Sequence, residues 1–277
     1  MKQWTGVILA GLLFATASRA EGPSAQHCLN VGTRLLEEVN LVEHRSVSKH
    51  LLEHAVELLL RAAEEGNAQI TEQALCRAAE CYVEMGDNKS IASALVLCMM
   101  VLERFPGGGR ATDAILLKGR IYADLREWDR AIAEWQRLAE EHPEAKAAPE
   151  ALFRCARVFE EKVRNETEAM ETYTGVLQKY PESDVAPGSL MARARLRADA
   201  DAFAEAAEDY LLLVERYGES EHTDEAMYEA LSIYEGDLKD YKKAYELAVR
   251  FKEKFPHSPY LTRVERIESR TLRYVSE

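Results

Sequence analysis

Proline and glycine are scarce, at 8 and 14 among 277 residues. So few turn formers disfavour an all-β fold, which needs a tight turn every few residues. Basic residues are also in deficit, 35 Lys and Arg against 48 Asp and Glu, for a formal charge of −13. A surface this acidic repels phosphate and excludes wrapping of nucleic acid. Beyond residue 20 no apolar run is long enough to span a bilayer. The single glycine run, Gly107-Gly108-Gly109-Arg110, is not followed by Gly-Lys-Ser/Thr. It therefore lacks the chemistry of a phosphate loop and reads as a flexible junction. No Ser/His/Asp constellation stands out, so no enzyme, cofactor or functional metal is expected. The remaining balance, 47% hydrophobic and 30% charged, is that of a globular chain and excludes wholesale disorder.

The first twenty residues differ from the rest. Lys2 supplies a positive start, Gly6 to Ala15 form an apolar run, and Ser18-Arg19-Ala20 places small residues before a cleavage point. This is the pattern of a secretory signal peptide over residues 1–20. About ten apolar residues are too few for a membrane anchor. Cleavage would remove Lys2 and Arg19 and no acid, leaving a soluble, more acidic chain without stable membrane insertion. Cys28 follows Ala25-Gln26-His27, which is not the context of a lipid-bearing cysteine.

Five cysteines, Cys28, Cys76, Cys81, Cys98 and Cys155, leave at least one thiol unpaired within a monomer. Cys76 and Cys81 are five apart on one predicted helix, too far round it to bridge easily. Their spacing is not that of a zinc or redox motif. The cysteines read mainly as buried small hydrophobes, with a bridge from Cys28 to Cys76 or Cys81 left open.

What the sequence does contain is a repeat. Phe105-Pro106, His142-Pro143, Tyr180-Pro181, Tyr217-Gly218 and Phe255-Pro256 recur at spacings of 37, 38, 37 and 38 residues. Twelve residues before each Pro or Gly stands an alanine: Ala94, Ala131, Ala169, Ala206 and Ala244. Upstream, Asn67 takes the marker position and Ala55 the small one. Four residues after each alanine come Leu59, Cys98, Trp135, Tyr173, Tyr210 and Ala248. A small residue lets two helices approach, and a large one a turn later fills the groove beside it.

The clearest unit carries Gly119, Tyr122, Ala131, Trp135 and Pro143 in order. This resembles the tetratricopeptide repeat (TPR). Other units match in part: Ala79/Tyr82/Gly86/Ala94, Ala156/Phe159/Ala169/Tyr173, Ala194/Phe203/Ala206/Tyr210 and Tyr234/Tyr241/Ala244. Arg197 stands where an aromatic residue is expected, and Cys98 takes a large position, so those two units are expected to pack less tightly. The resemblance implies an all-α fold, a right-handed TPR-like solenoid of helical hairpins closed by a C-terminal capping helix. Each hairpin buries its apolar face by stacking on the next. The implied division is a signal peptide at 1–20, a linker at 21–27 and a degenerate hairpin at 28–66. Five repeats follow at 67–105, 106–142, 143–180, 181–217 and 218–255, with a cap at 256–277. The extra length over a 34-residue repeat follows the marker. The junction Tyr/Phe-Pro-x-Ser is similar to that of envelope TPR proteins of the Tol–Pal coordinator and BamD-like type. The prolines agree with this phasing: Pro106, Pro143, Pro181 and Pro256 end one helix, and Pro149, Pro187 and Pro259 suit the start of the next.

In a TPR stack the first helix of each hairpin lines the concave face. With Gly119 as reference, the residue three earlier gives an apolar column of Cys76, Leu116, Phe153, Met191 and Tyr228. The residue one later gives Arg120, Arg157 and Arg195 in three successive repeats. An apolar column beside arginines suits a protein or peptide, acidic or offering its C-terminal carboxylate. Asp124, Glu161 and Asp199 lie four residues after these arginines. They offer the alternative of self-paired helix surface, each pair contributing a few tenths of a kcal/mol.

His50, Glu53 and His54 fit the H-x-x-E-H pattern of one class of zinc protease, but nothing specifies a third ligand or a cleft. They read as solvated helix surface, with a zinc-dependent hydrolase as the least favoured function. The expectation is an exported, periplasmic, non-enzymatic scaffold in envelope assembly or maintenance. An accessory subunit of a periplasmic enzyme or secretion complex is the alternative. The oligomeric state is not legible.

Overall fold

The computed structural model describes residues 23–39 and 45–275; the signal-peptide segment 1–20 lies outside them. Among the described residues the secondary structure is helical throughout, with no strand. The α-helices are α1 (Ala25–Val39), α2 (Arg45–Glu65), α3 (Ala68–Met85), α4 (Asn88–Arg104), α5 (Ala111–Asp124), α6 (Trp128–Glu141) and α7 (Ala148–Val158). They continue as α8 (Glu166–Lys179), α9 (Ala186–Asp199), α10 (Phe203–Arg216), α11 (Thr223–Gly236), α12 (Tyr241–Lys254) and α13 (Leu261–Thr271). The chain forms two compact units, Met1–Ile121 and Tyr122–Glu277. In the first, α1 packs on α2, α2 on α3 and α3 on α4. In the second, each helix from α6 to α13 packs on its neighbours in sequence. The fold class is an all-α, TPR-like solenoid of helical hairpins.

The alanine column forms the contact between helices. Ala55, Ala94, Ala131, Ala169, Ala206 and Ala244 are all fully buried, and Leu59, Cys98, Trp135, Tyr173 and Tyr210 are buried one turn on. Cys98 fills its large position as a buried residue like the others.

The turns from second helix to first that follow α4, α6, α8, α10 and α12 share one geometry. Phe105, His142, Tyr180, Tyr217 and Phe255 end their helices at φ −134° to −120° and ψ 44° to 61°. A following proline disfavours the helical region at the residue before it, which sets this stop in four of the five. Two further turns follow, closed after α8 by Ser183 N–H on Tyr180 C=O and Ala186 N–H on Ser183 C=O. The same pair recurs at Ser220/Thr223 and Ser258/Leu261. Pro149 and Pro187 fall in the first turns of α7 and α9. Pro259 instead lies in the turn two residues ahead of α13, whose first residue is Leu261.

The glycine run at 107–109 is tied down rather than open. The carboxylate of Glu72, which is buried, accepts the Arg110 N–H at 2.6 Å. A Cβ on Gly108 would lie 2.2 Å from Glu72 Oε1, so only glycine admits that carboxylate.

The turns within hairpins explain the alternation of 37 and 38 residues. Each of the five from α3–α4 onward contains one left-handed residue: Gly86, Arg126, Arg164, Asp201 and Lys239, at φ 54° to 71°. In the 37-residue units the turn is a Schellman motif. Glu127 N–H bonds Tyr122 C=O at 2.8 Å, and Ala202 N–H bonds Arg197 C=O at 2.8 Å. The 38-residue units have one residue more between the reference position and the buried alanine. In the third repeat a π-turn, Phe159–Val163, absorbs it at the end of α7. In the fifth, Asp237 and Leu238 N–H both bond Ile233 C=O at 3.0 Å. Four of the five left-handed residues carry a Cβ, which is unfavourable there. Arg126→Gly, Arg164→Gly and Lys239→Gly are expected to stabilise the chain by roughly 0.5–1 kcal/mol each. Gly86→Ala should destabilise it by about 1 kcal/mol; urea midpoints of the single variants measure both.

All five thiols are free and buried, so the bridge from Cys28 to Cys76 or Cys81 is not formed. Burial pushes the thiols of Cys81, Cys98 and Cys155 up from the ordinary 9.0 to about 12, and Cys76 in the same direction. Above about pH 9 the unfolded chain releases thiol protons that the folded chain keeps. The folded state then binds more protons, so stability falls as pH rises from about 9 toward 12. The urea midpoint should be lower at pH 10 than at pH 8. At pH 8 the native thiols should resist Ellman's reagent until the chain is unfolded.

Candidate functional site: the first-helix face

The arginines stand on the first helices of the hairpins: Arg120 on α5 in the N-terminal unit, Arg157 on α7 and Arg195 on α9 in the C-terminal unit. Their side chains are 41%, 54% and 58% exposed, so all three guanidinium groups reach solvent. Only one makes the expected intrahelical pair: Arg157 donates from Nε (2.9 Å) and Nη2 (2.6 Å) to Glu161. That hydrogen bond holds the Glu161 carboxyl below its ordinary range. Arg120 pairs not with Asp124 but with Glu84 of α3, at 2.9 Å. Arg195 pairs not with Asp199 but with Glu160 of the preceding hairpin. The long arginine reaches the helix alongside, to an exposed carboxylate at Glu84 and to one with little exposure at Glu160. Glu160 is also fixed from below, because the buried Tyr173 donates its hydroxyl to Oε2 at 2.8 Å. Burial in turn pushes the Tyr173 phenol upward.

A further rung escapes a count that stops at three arginines. Arg270 on α13 is 75 residues after Arg195, two repeat lengths, and pairs with Glu235 of α11 at 2.9 Å. Arg195–Glu160 and Arg270–Glu235 are the same pair by repeat position, each spanning 35 residues. Continuing the 37/38 ruler past Pro256 finds Arg270. The partners Glu84, Glu160 and Glu235 are not signalled by local spacing, because they lie one repeat away.

The apolar column is partly covered. Cys76 is buried; Leu116, Phe153, Met191 and Tyr228 are half-buried. Phe153 packs against Tyr173, with ring centroids 5.9 Å apart. It therefore belongs to the cluster that also holds Glu160, Arg157 and Arg195. Tyr228 stacks on Tyr260 at 4.7 Å, and the Arg263 guanidinium lies 5.9 Å from its ring centre. One face of Tyr228 is thus taken by the last junction.

Arg197, the departure from the repeat pattern, is compensated internally. Its guanidinium pairs with Asp209 of α10 at 2.7 Å. Asp209 is buried and also accepts two hydrogen bonds from Arg193, at 2.9 and 2.7 Å. Arg193 reaches Thr174 of α8 at 3.3 Å. An aromatic contact has been replaced by a buried carboxylate held by two arginines. Removing the carboxylate strands Arg193, whose side chain is only 12% exposed. Asp209→Ala should therefore destabilise the chain by about 3 kcal/mol or more, read from chemical unfolding. Arg197→Ala should cost clearly less, because Arg193 still neutralises Asp209.

His50 and Glu53 lie on the exposed side of α2 and pair with each other at 3.2 Å, with His54 exposed beside them. Among the described residues no group of three or more His, Cys, Asp or Glu side chains is placed to hold a metal ion. No described helix is long and apolar enough to cross a membrane.

A family model of the tetratricopeptide repeat matches residues 113–145 and 150–183. No curated protein matches the chain in sequence. Solved structures of similar fold include Pseudomonas aeruginosa PilF, 12% identical over 87% of this chain and 98% of that one, with a TM-score of 0.54. The apo form of RapI is 15% identical over 91% and 72% of the two chains, at 0.60. MamA of Desulfovibrio magneticus RS-1 is 16% identical over 73% and 99%, at 0.51. At these identities the likeness is one of fold. Residues 113–145 and 150–183 thus carry tetratricopeptide repeats, and the chain as a whole has a TPR-like fold, one that commonly mediates protein–protein interaction.

Proposed function

We propose that this chain is an exported, non-enzymatic scaffold that binds a protein or peptide on the first-helix face of its hairpins. The observation that carries this reading is the arginine cluster on α7 and α9. Arg157 and Arg195 each keep one side in an intrachain pair and the other in solvent, beside half-buried Phe153 and Met191. A guanidinium has five N–H donors, and the intrachain carboxylates use only part of each set. The free donors suit a carboxylate side chain or a C-terminus, and the rings suit the apolar residues between. Arg120 on α5 offers the same chemistry in the N-terminal unit. Compartment rests on the first twenty residues and on the Tyr/Phe-Pro-x-Ser junction, which together support the periplasm and a role in envelope assembly or maintenance. Repeats of the Tol–Pal coordinator and BamD-like type share that junction.

The test uses the full chain, expressed in a Gram-negative host, as bait in envelope extract beside the Arg120→Ala/Arg157→Ala/Arg195→Ala variant. Export predicts a mature N-terminus after Ala20, read by mass spectrometry. A protein captured by the parent chain should be lost, or weakened about tenfold or more, in the triple variant at unchanged helicity. Equal capture by both would remove the arginine face from the reading. An intact N-terminus in the cytosol would remove the compartment.

A further inference from the structure

Helix α4 breaks a rule that the other second helices keep. From Ser90 to Leu102 it carries thirteen residues without a charge. A helix apolar all round belongs in a core, yet the side of α4 away from α3 is open. Val96 and Met99 are 56% and 54% exposed, with Ala92 exposed beside them. The position two residues after the buried alanine is Val96 here. In α8, α10 and α12 it is Glu171, Glu208 and Glu246, each exposed. Three helices thus place a charge at this surface point, α6 places the small Ala133, and α4 places a large hydrophobe.

The open side of α4 borders a groove. Two adjoining depressions of about 360 and 390 Å³ share Tyr82, Lys89 and Ser93. Together they run along α2 and α4 over Tyr82 of α3. Val56 and Leu60 line the α2 side and Val96 and Leu97 the α4 side. Two parallel helices with a trough between them present the shape that receives a third helix.

The rim sets the sign of the occupant. Glu53, Glu57 and Glu64 are exposed along α2 at spacings of four and seven, which place them on one stripe beside the groove. Glu53 pairs with the exposed His50. Glu57 and Glu64 form no ion pair among the described residues. Arg61 is engaged by Glu65 at 2.8 Å. Of the cations at the groove, Lys49 sits at one end and Lys89, which follows the acid Asp87 by two residues, sits where the two depressions adjoin. An anionic membrane or an acidic helix would meet the acidic stripe as a like charge. A second copy would bring the same stripe toward its own.

We infer that the α2–α4 groove binds an amphipathic helix of a partner protein, with apolar residues at i, i+3, i+4 and i+7 and Lys or Arg along one flank. The apolar residues would cover Val96, Met99 and Leu60, and the basic flank would lie against Glu57 and Glu64. This surface is separate from the arginine face and stands whether or not that face binds anything.

The probe is a fluorescein-labelled synthetic helix of about 20 residues with leucines at those positions and lysines on one flank, read by anisotropy against the full chain. Its control has glutamates in place of the lysines. The lysine peptide should bind and the control should not, and added salt should weaken binding. Val96→Glu writes into α4 the charge that α8, α10 and α12 carry at the same exposed point, and Met99→Glu changes a side chain that is 54% exposed, so the fold should persist by circular dichroism. Each should lower affinity about tenfold or more. Glu57→Lys/Glu64→Lys should reverse the preference between the two peptides. Equal binding of both peptides, no binding of either, or binding indifferent to Val96→Glu would overturn the inference. A parent chain that sediments as a dimer and becomes a monomer as Val96→Glu would overturn it too, assigning the groove to a second copy. Preferential binding to anionic vesicles over the lysine peptide would assign it to lipid.

Discussion

The close approach of helices at the buried alanines is the constraint on which the rest of the structure depends. An alanine at full burial loses no side-chain rotamer freedom and holds two helix backbones near contact. Nothing larger fits without moving both, and the large residue one turn later has only the groove that approach creates. Trp135, Tyr173 and Tyr210 therefore do for each hairpin what a continuous core does for a compact domain. A hairpin alone would leave the other side of these residues wet, so stability comes from neighbours in the stack. Length errors are then absorbed where no alanine is displaced. The π-turn at Phe159–Val163 and the doubled bond on Ile233 C=O each take up one residue in the turn inside the hairpin. The alanine contact and the outgoing junction keep their geometry.

A fixed period brings residues one repeat apart face to face. Arg120 meets Glu84, Arg195 meets Glu160, Arg216 meets Glu182 and Arg270 meets Glu235, across 34 to 36 residues. The Tyr217 hydroxyl likewise donates to Pro181 C=O at 2.7 Å. Exposed pairs of this kind each contribute about 0–1 kcal/mol, too little to hold the stack. Their consequence is directional: they fix where each guanidinium points. A carboxylate arriving at Arg157 or Arg195 would meet cations already oriented and partly neutralised. It would add to the pairs with Glu161 and Glu160 at the donors they leave free, with a weaker attraction than to a bare cation, which favours ligands that add apolar contact at Phe153 and Met191.

The period, the hairpins and the identity of the close-contact alanines were legible in the sequence because each depends on residues within one repeat. The partners of the arginines were not. Local spacing offered Asp124, Glu161 and Asp199, and only Glu161 is used, because a side chain as long as arginine spans to the next helix as readily as along its own. Arg270 was hidden by reading the last helix as a cap alone, although it keeps the register of a first helix. The 37/38 alternation was visible as a number, but its cause was not. A π-turn and left-handed arginines and lysine carry no composition signal. Glycine marks such a position only at Gly86.

Two departures from the repeat pattern differ in kind, and the difference bears on where function lies. Arg197 replaces an aromatic residue and would be a buried liability by itself. Asp209 appears at the facing position, Arg193 and Thr174 join it, and every charge is answered within the chain. A change answered internally is explained by packing. Val96 stands where α8, α10 and α12 carry a glutamate, Met99 widens the apolar area beside it, and both are more than half exposed. Exposed hydrophobes bring no folding stability and carry an aggregation hazard. An uncompensated departure, at a point where α8, α10 and α12 keep a charge, places its explanation outside the chain, in whatever covers α4.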